Sequence, residues 1–247
     1  MLAQSFNKMA ENVEEKIYAL ELNARQKEDF VANFAHELKT PLTSVIGYAD
    51  MIYQRNDLTH REVKEAAGYI VNEGMRLEAL SLKLMELIVL NRQDFMLTKM
   101  RADEVVQDVS DPLRPLMEKK GIRFTASAQG AYIRIEFDLF KTLLLNLIDN
   151  AVKADGKHIR FNGKFEGGRY VLSVTDDGRG IPKDQLDRIT EAFYMVDKSR
   201  SRSQHGAGLG LAIASRIAAL HGAQLEYQSE IGMGTVVMVV LDAEGGV

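Results

Sequence analysis

His36 stands in the run Asn33-Phe34-Ala35-His36-Glu37-Leu38-Lys39-Thr40-Pro41-Leu42. An imidazole is followed at once by a carboxylate, one turn later by a hydroxyl, and then by a proline. A neutral imidazole is a nucleophile and a proton carrier near neutral pH. The proline falls where the spacing still reads as helix. It removes a hydrogen bond, and its ring presses on the carbonyl of Glu37, four residues back. A bend beside a titratable histidine points to a site rather than to packing. Thr40 shares the face of His36 one turn along, placed to act on a water. Glu37 is the nearest carboxylate, but adjacent helical positions diverge by about 100°, so it needs a particular rotamer to take the ring proton.

Three further motifs lie downstream. Asn146-Leu147-Ile148-Asp149-Asn150-Ala151-Val152-Lys153 reads as helix, and its spacing puts Asn146, Asn150 and Lys153 on one face. An amide oxygen suits Mg²⁺ and a lysine suits phosphate; a solvated polar face is the plain alternative. Asp176-Asp177-Gly178-Arg179-Gly180-Ile181-Pro182 follows a strand-like run. Its glycines let backbone approach a ligand, and its carboxylate can accept from an exocyclic amine; taken alone, it is also an ordinary turn. Gly206-Ala207-Gly208-Leu209-Gly210-Leu211 opens a helix, where free N–H groups and the helix dipole favour an anion. No strand runs into it and no βαβ unit surrounds it, so it is not a dinucleotide fingerprint.

The elements that must position these groups fall into two regions. From about Leu2 to Arg92 apolar residues recur at helical spacing with a single proline. Phe6, Met9, Val13, Ile17, Leu20 and Ala24 resemble a heptad pattern with a stutter. Phe30, Phe34, Leu38 and Leu42 continue as a stripe, which predicts one helix from near Ser5 to near Gln54. Thr59 and Glu62 form a capping box for a second helix, with Ile70, Leu77, Leu80, Leu84 and Leu87 as its stripe. Two helices make a thin core, so the hairpin is expected to pair with a second copy into a four-helix bundle. A bare coiled-coil dimerisation element is the bland reading of this stretch.

From about Phe95 glycine becomes common. Helices are expected over 105–119, 138–153 and 210–221. Strands are expected over 123–125, 132–136, 158–165, 169–175, 224–229 and 235–241, with Gly167-Gly168 as a hairpin turn. This pattern predicts an α+β layer with helices on one face of a mostly antiparallel sheet. The polar stretch from Ile189 to Gly206 is too long for an ordinary connection and reads as a lid.

The bulk properties exclude several classes. The 247 residues are 46% hydrophobic and 27% charged, as in a globular protein. A net charge of −4 argues against nucleic acid as the main partner. The absence of cysteine rules out disulfides and thiolate metal sites, and the five histidines show no metal-ligand spacing. No secretory signal and no apolar run long enough to span a membrane is visible.

Taken in order, the amide helix, Asp-x-Gly-x-Gly, lid and Gly-x-Gly-Leu-Gly-Leu resemble the ATP-binding domain of the GHKL superfamily. With the His36 segment upstream, the chain resembles the cytoplasmic core of a two-component sensor histidine kinase. Glu191-Ala192-Phe193-Tyr194 resembles the phenylalanine-containing motif of that family's lid, and residues 2–11 resemble the last helix of a HAMP signal-relay domain. The resemblance implies two domains: an all-α antiparallel hairpin, dimerising as a four-helix bundle, followed by an α+β sandwich of the GHKL or Bergerat type. It implies a signalling helix over 1–25, a dimerisation and phosphotransfer hairpin over 26–92, a hinge over 93–97 and a catalytic domain over 98–247.

The resemblance also implies roles. His36 is the phosphoacceptor, Glu37 its proton acceptor and Thr40 a phosphatase residue. Asn150 holds Mg²⁺ with Asn146 in support. Lys153 and Arg200 contact phosphate. Asp176 reads the adenine amine in a pocket shaped by Gly178 and Gly180. Gly206, Gly208, Leu209 and Gly210 anchor the lid beside the triphosphate. The implied cofactors are ATP and Mg²⁺, and the implied partners are a response-regulator receiver domain and a second copy of the chain. The implied setting is the cytoplasmic portion of a bacterial-type plasma-membrane receptor, joined to the membrane only through segments absent from this sequence. One departure is Met195, where many family members carry arginine; Lys198, Arg200 or Arg202 could supply that cation. The alternatives left open are a phosphatase-dominant sensor, a GHKL ATPase without phosphohistidine, and a signalling scaffold with a degenerate nucleotide domain.

Overall fold

The computed structural model describes residues 2–90, 95–196 and 208–245. The chain divides into two compact units, Met1–Ala79 and Leu80–Val247. The expected hinge at 93–97 and the expected lid both fall partly outside the described residues, as do Lys198, Arg200, Arg202 and Gly206.

In the first unit, α1 runs over Leu2–Gln54 with Pro41 inside it, and α2 starts at His60; α2 ends at Val89, past the boundary between the units. Thr59 and Glu62 close the capping box in both directions. The Thr59 amide donates to Glu62 Oε2 at 2.8 Å, and the Glu62 amide donates to Thr59 Oγ1 at 3.3 Å. The inward positions of α2 include Val63, Ala66, Ile70 and Leu77, the helical spacing expected of one buried stripe. Tyr48 and Tyr69 join the two helices as a stacked pair, 4.7 Å between ring centroids. Leu42 of the α1 stripe lies exposed in the single chain, with Val31, Ile46, Val71 and Met75.

The second unit is built around its last strand. Its strands are β1 (Thr98–Arg101), β2 (Arg123–Ala128), β3 (Ala131–Ile135), β4 (His158–Glu166), β5 (Arg169–Asp176), β6 (Gln224–Glu230) and β7 (Gly234–Gly245). They form one seven-stranded sheet ordered β1-β3-β7-β5-β4-β2, with β6 also on β7. β7 serves three neighbours because it is long. Its first part pairs β6, its end pairs β3, and β5 runs along it from Asp176 opposite Thr235 to Arg169 opposite Asp242. All pairings are antiparallel except β2 with β4.

Among the described residues, the α-helices lying wholly within this unit are α3 (Ala102–Ser110), α4 (Leu113–Lys119), α5 (Phe137–Lys153) and α6 (Gly210–Leu220). The single helix expected over 105–119 is thus two, α3 and α4. Pro112 and Pro115 each lack the N–H that would continue the ladder. The core joins Phe140, Leu143, Leu144 and Leu147 of α5 and Ile213 and Ile217 of α6 to Phe161, Leu172 and Val239 of the sheet, all essentially fully buried. His221 ties α6 to the start of α5. Its Nε2 accepts from the Glu136 amide at 3.0 Å while Nδ1–H donates to the Ile217 carbonyl at 2.8 Å.

Candidate functional site

Asp176 ends β5 on the sheet face that carries the helices, and it is buried. Burial pushes its carboxyl above the usual range, while the amides of Gly178 and Thr235 pull it back. Gly178 donates to Asp176 Oδ1 at 2.9 Å. The next residue, Asp177, faces the other way and fastens β5 to the start of β4. It accepts from the amides of Lys157 and His158 and pairs with His158 Nδ1 at 2.6 Å. Those donors hold its carboxyl down at about 2.

Beside Asp176 is a cavity of about 230 Å³. Its apolar walls include Leu147, Val174, Ile181, Ile189 and Val237, and its polar groups include Asp149, Asn150, Lys153 and Asp176. Gly180 lines it at φ +71, and a Cβ there would run into the Glu230 carbonyl, so only glycine lets this loop pass. Asp149 and Lys153 pair one turn apart at 2.6 Å. The Asn150 amide has a buried Nδ2 without a hydrogen-bond partner among the described residues. Amide O and N are assigned from such contacts, so the carbonyl oxygen can equally occupy that position. An unpartnered amide beside a carboxylate and an ammonium fits a phosphate–cation pair; the buried carboxylate between apolar walls fits a base bearing an amine.

The glycine-rich segment enters through Gly208, at φ +67. Its carbonyl accepts from the Phe193 amide at 2.9 Å, and a Cβ there would meet the Phe193 backbone at 2.8 Å. Phe193 itself has φ +66, a conformation that a bulky residue holds only when its surroundings enforce it. Phe193, near the start of the expected lid, and Gly208, just past the expected end, are therefore held together. Gly208, Gly210, Tyr194 and Met195 line the cavity.

Three candidates lie behind the cavity wall. The Leu209 side chain is buried in the core at 1% exposure, because it precedes α6 on that helix's inward face. Asn146 donates its amide to the Thr142 carbonyl at 3.0 Å, and its Oδ1 would sit 3.0 Å from a Cβ at Gly210. It holds the close approach of α5 to α6. Gly178 sits against Ala154, where a Cβ would clash with that residue.

The structure adds residues that motif reading passed over. Arg179 donates from Nη2 to the Lys153 carbonyl at 2.6 Å, joining the glycine loop to the last turn of α5. Ser229 accepts from the Ile181 amide at 2.8 Å, donates to the Gly234 carbonyl at 2.9 Å, and lies 2.8 Å from the Thr235 hydroxyl. Arg179 stood inside a motif the sequence displayed. Ser229 and Thr235 had no local signal, since cross-strand pairing brings them to Asp176.

In the first unit His36 and Glu37 differ in setting. His36 is exposed, whereas Glu37 is half-buried and faces Arg76 of α2 at 3.5 Å. Arg76 also faces Glu73 at 3.7 Å. Thr40 Oγ1 donates to the His36 carbonyl at 3.3 Å, and Ser44 Oγ donates to the Thr40 carbonyl at 3.3 Å.

Comparison with known proteins places these features together. A model described as histidine kinase-, DNA gyrase B-, and HSP90-like ATPase matches residues 121–245, and one described as His Kinase A (phospho-acceptor) domain matches residues 26–87. The signal transduction histidine-protein kinase ArlS of Staphylococcus aureus is 30% identical over 243 residues, covering 97% of this chain and 52% of ArlS. The chain thus spans about half the length of the curated relatives it matches. Full-length ShkA, solved in complex with AMPPNP, superposes with a TM-score of 0.61 at 25% identity, over 89% of this chain and 46% of ShkA. ThkA, solved in complex with the response regulator TrrA, has the same fold, with a TM-score of 0.70 at 20% identity over 93% of this chain and 67% of ThkA.

Proposed function

Because the chain belongs to the histidine kinase-, DNA gyrase B- and HSP90-like ATPase family and carries a His kinase A phospho-acceptor segment, we propose that it is an ATP-dependent protein-histidine kinase. His36 takes the γ-phosphoryl group of ATP and passes it to an aspartate of a response-regulator receiver domain. The observation that carries this reading is one cavity gathering Asp176, Asn150 and Lys153 in a chain that also presents an exposed histidine on a proline-bearing helix. The complexes of ShkA with AMPPNP and of ThkA with TrrA support the nucleotide and the partner.

Phosphoryl transfer needs positioning and charge compensation more than covalent chemistry. Asp176 accepts from the base amine, Lys153 faces phosphate, and the Asn150 amide oxygen is the protein's ligand for Mg²⁺. That ion supplies neutralisation of phosphate charge. One nitrogen of neutral His36 forms the N–P bond as the bond to the bridging oxygen breaks and ADP leaves. The proton on the other ring nitrogen goes to Glu37, which must first turn from Arg76. Thr40 orients a water for the phosphatase activity on the regulator: the water oxygen attacks the aspartyl phosphate, the bond to the aspartate carboxylate breaks, and inorganic phosphate leaves. Met195 on the cavity wall, where the family pattern has arginine, favours a phosphatase-weighted balance as the second reading. We also read the chain as a homodimer, supported by the exposed apolar residues of the hairpin, and as the cytoplasmic core of a longer membrane receptor.

The test is incubation with γ-labelled ATP and Mg²⁺. The protein is expected to take up label that is acid-labile and alkali-stable, and His36→Gln to take up none. Label retained by that variant, or no label on the wild type, would overturn the kinase reading.

A further inference from the structure

Tyr227 is a polar side chain that neither the motifs nor the proposed reaction uses. It lies on β6 opposite Val237 of β7, which lies opposite Val174 of β5. The neighbouring row across the same strands is Ser229, Thr235 and Asp176. Residues directly opposite one another, and residues two apart on one strand, share a face. Tyr227 therefore stands on the same face as Asp176, one row along and two strands over. It lines the same cavity as Asp176, Thr235 and Val237.

Its hydroxyl is buried and has no hydrogen-bond partner among the described residues. Burial pushes its pKa up to about 12, so it remains an O–H donor. Buried hydroxyls are normally paired, and an orphan in a ligand cavity signals a partner that arrives with the ligand. Tyr227 also lines a neighbouring groove of about 340 Å³. A purine offers ring nitrogens as acceptors beside the exocyclic amine. Asp176, an acceptor, suits the amine; a phenolic O–H suits a ring nitrogen.

We propose that the Tyr227 hydroxyl is a base-recognition group of the nucleotide site, donating to a ring nitrogen of the purine whose amine Asp176 accepts. The inference rests on the nucleotide reading given above. It makes Tyr227 a base-positioning residue, and a specificity-determining one where the acceptor is N1, which accepts in adenine but carries a hydrogen in guanine.

Tyr227→Phe removes only the hydroxyl and keeps the ring that fills the wall. Calorimetric titration of the whole chain with ADP is expected to show about three- to tenfold weaker binding in this variant, the net worth of one hydrogen bond. The difference is expected to vanish with one of 1-deaza-, 3-deaza- or 7-deaza-ADP, each of which replaces one ring nitrogen by carbon. Without nucleotide the variant is expected to melt no lower than the wild type. ADP binding unchanged by the substitution, a deficit that persists with all three analogues, or a lower melting temperature of the unloaded variant would each overturn the inference alone. A wild-type chain that binds no ADP would overturn the nucleotide reading and the inference with it.

Discussion

At Asp176 two demands oppose each other: burial favours the protonated acid, and the amides of Gly178 and Thr235 favour the anion. Burial prevails, so the folded pKa is raised. A carboxyl raised in this way stabilises the fold below its unfolded pKa, and that contribution is lost as pH rises through the folded value. Asp176→Asn is therefore expected to leave the unloaded chain at least as stable at neutral pH in a thermal melt. The same substitution removes a charged acceptor, so ADP affinity measured by calorimetry is expected to fall about ten- to hundredfold. In the wild type, binding is expected to weaken on acidification from above the usual carboxylate value of about 3.9. Glu37 shows another residue-scale conflict. Its contact with Arg76 draws it toward α2, while the proposed proton transfer needs it at the His36 ring.

At the scale of elements, local chemistry was readable where the pattern repeats. The Thr59–Glu62 box was visible as residue types at fixed spacing, and it forms because both partners lie within one turn. Thr59→Ala is expected to cost about 1 kcal/mol in chemical denaturation, with Glu62→Ala in the same direction. The break between α3 and α4 was also written in the chain, as Pro112 and Pro115, but the helical spacing on either side masked it. β1 carried no comparable signal. Its four residues, Thr98–Arg101, show no alternation of burial, and it is a strand because β3 offers it an edge.

On the scale of the whole molecule, α1 is a helix of 53 residues, about 80 Å in rise. A helix of that length cannot cover its apolar residues with a single antiparallel neighbour of 30 residues. Val31, Leu42 and Ile46 on α1, with Val71 and Met75 on α2, remain exposed. We expect sedimentation to show a dimer, and Leu42→Glu with Ile46→Glu to shift it to monomer while ADP binding is kept, since both positions lie in the first unit. A dimer that survives both substitutions would place the interface elsewhere.

The sequence by itself determined the types of chemistry present and their order: an imidazole beside a proline, an amide helix, a strand-end carboxylate and two glycine segments. Residue type and short spacing are local properties, and a chain displays them unfolded. It also determined the helical hairpin, because periodicity and caps act over one or two turns. Only the tertiary structure decided which polar groups share a wall. Asp176, Thr235, Ser229 and Tyr227 meet through the register of three strands, and that register is set by packing over the whole sheet. Leu209 was turned inward for the same reason: the glycine segment displays its anion-binding pattern locally, but the side that faces the core is chosen by α5 and the sheet beneath it.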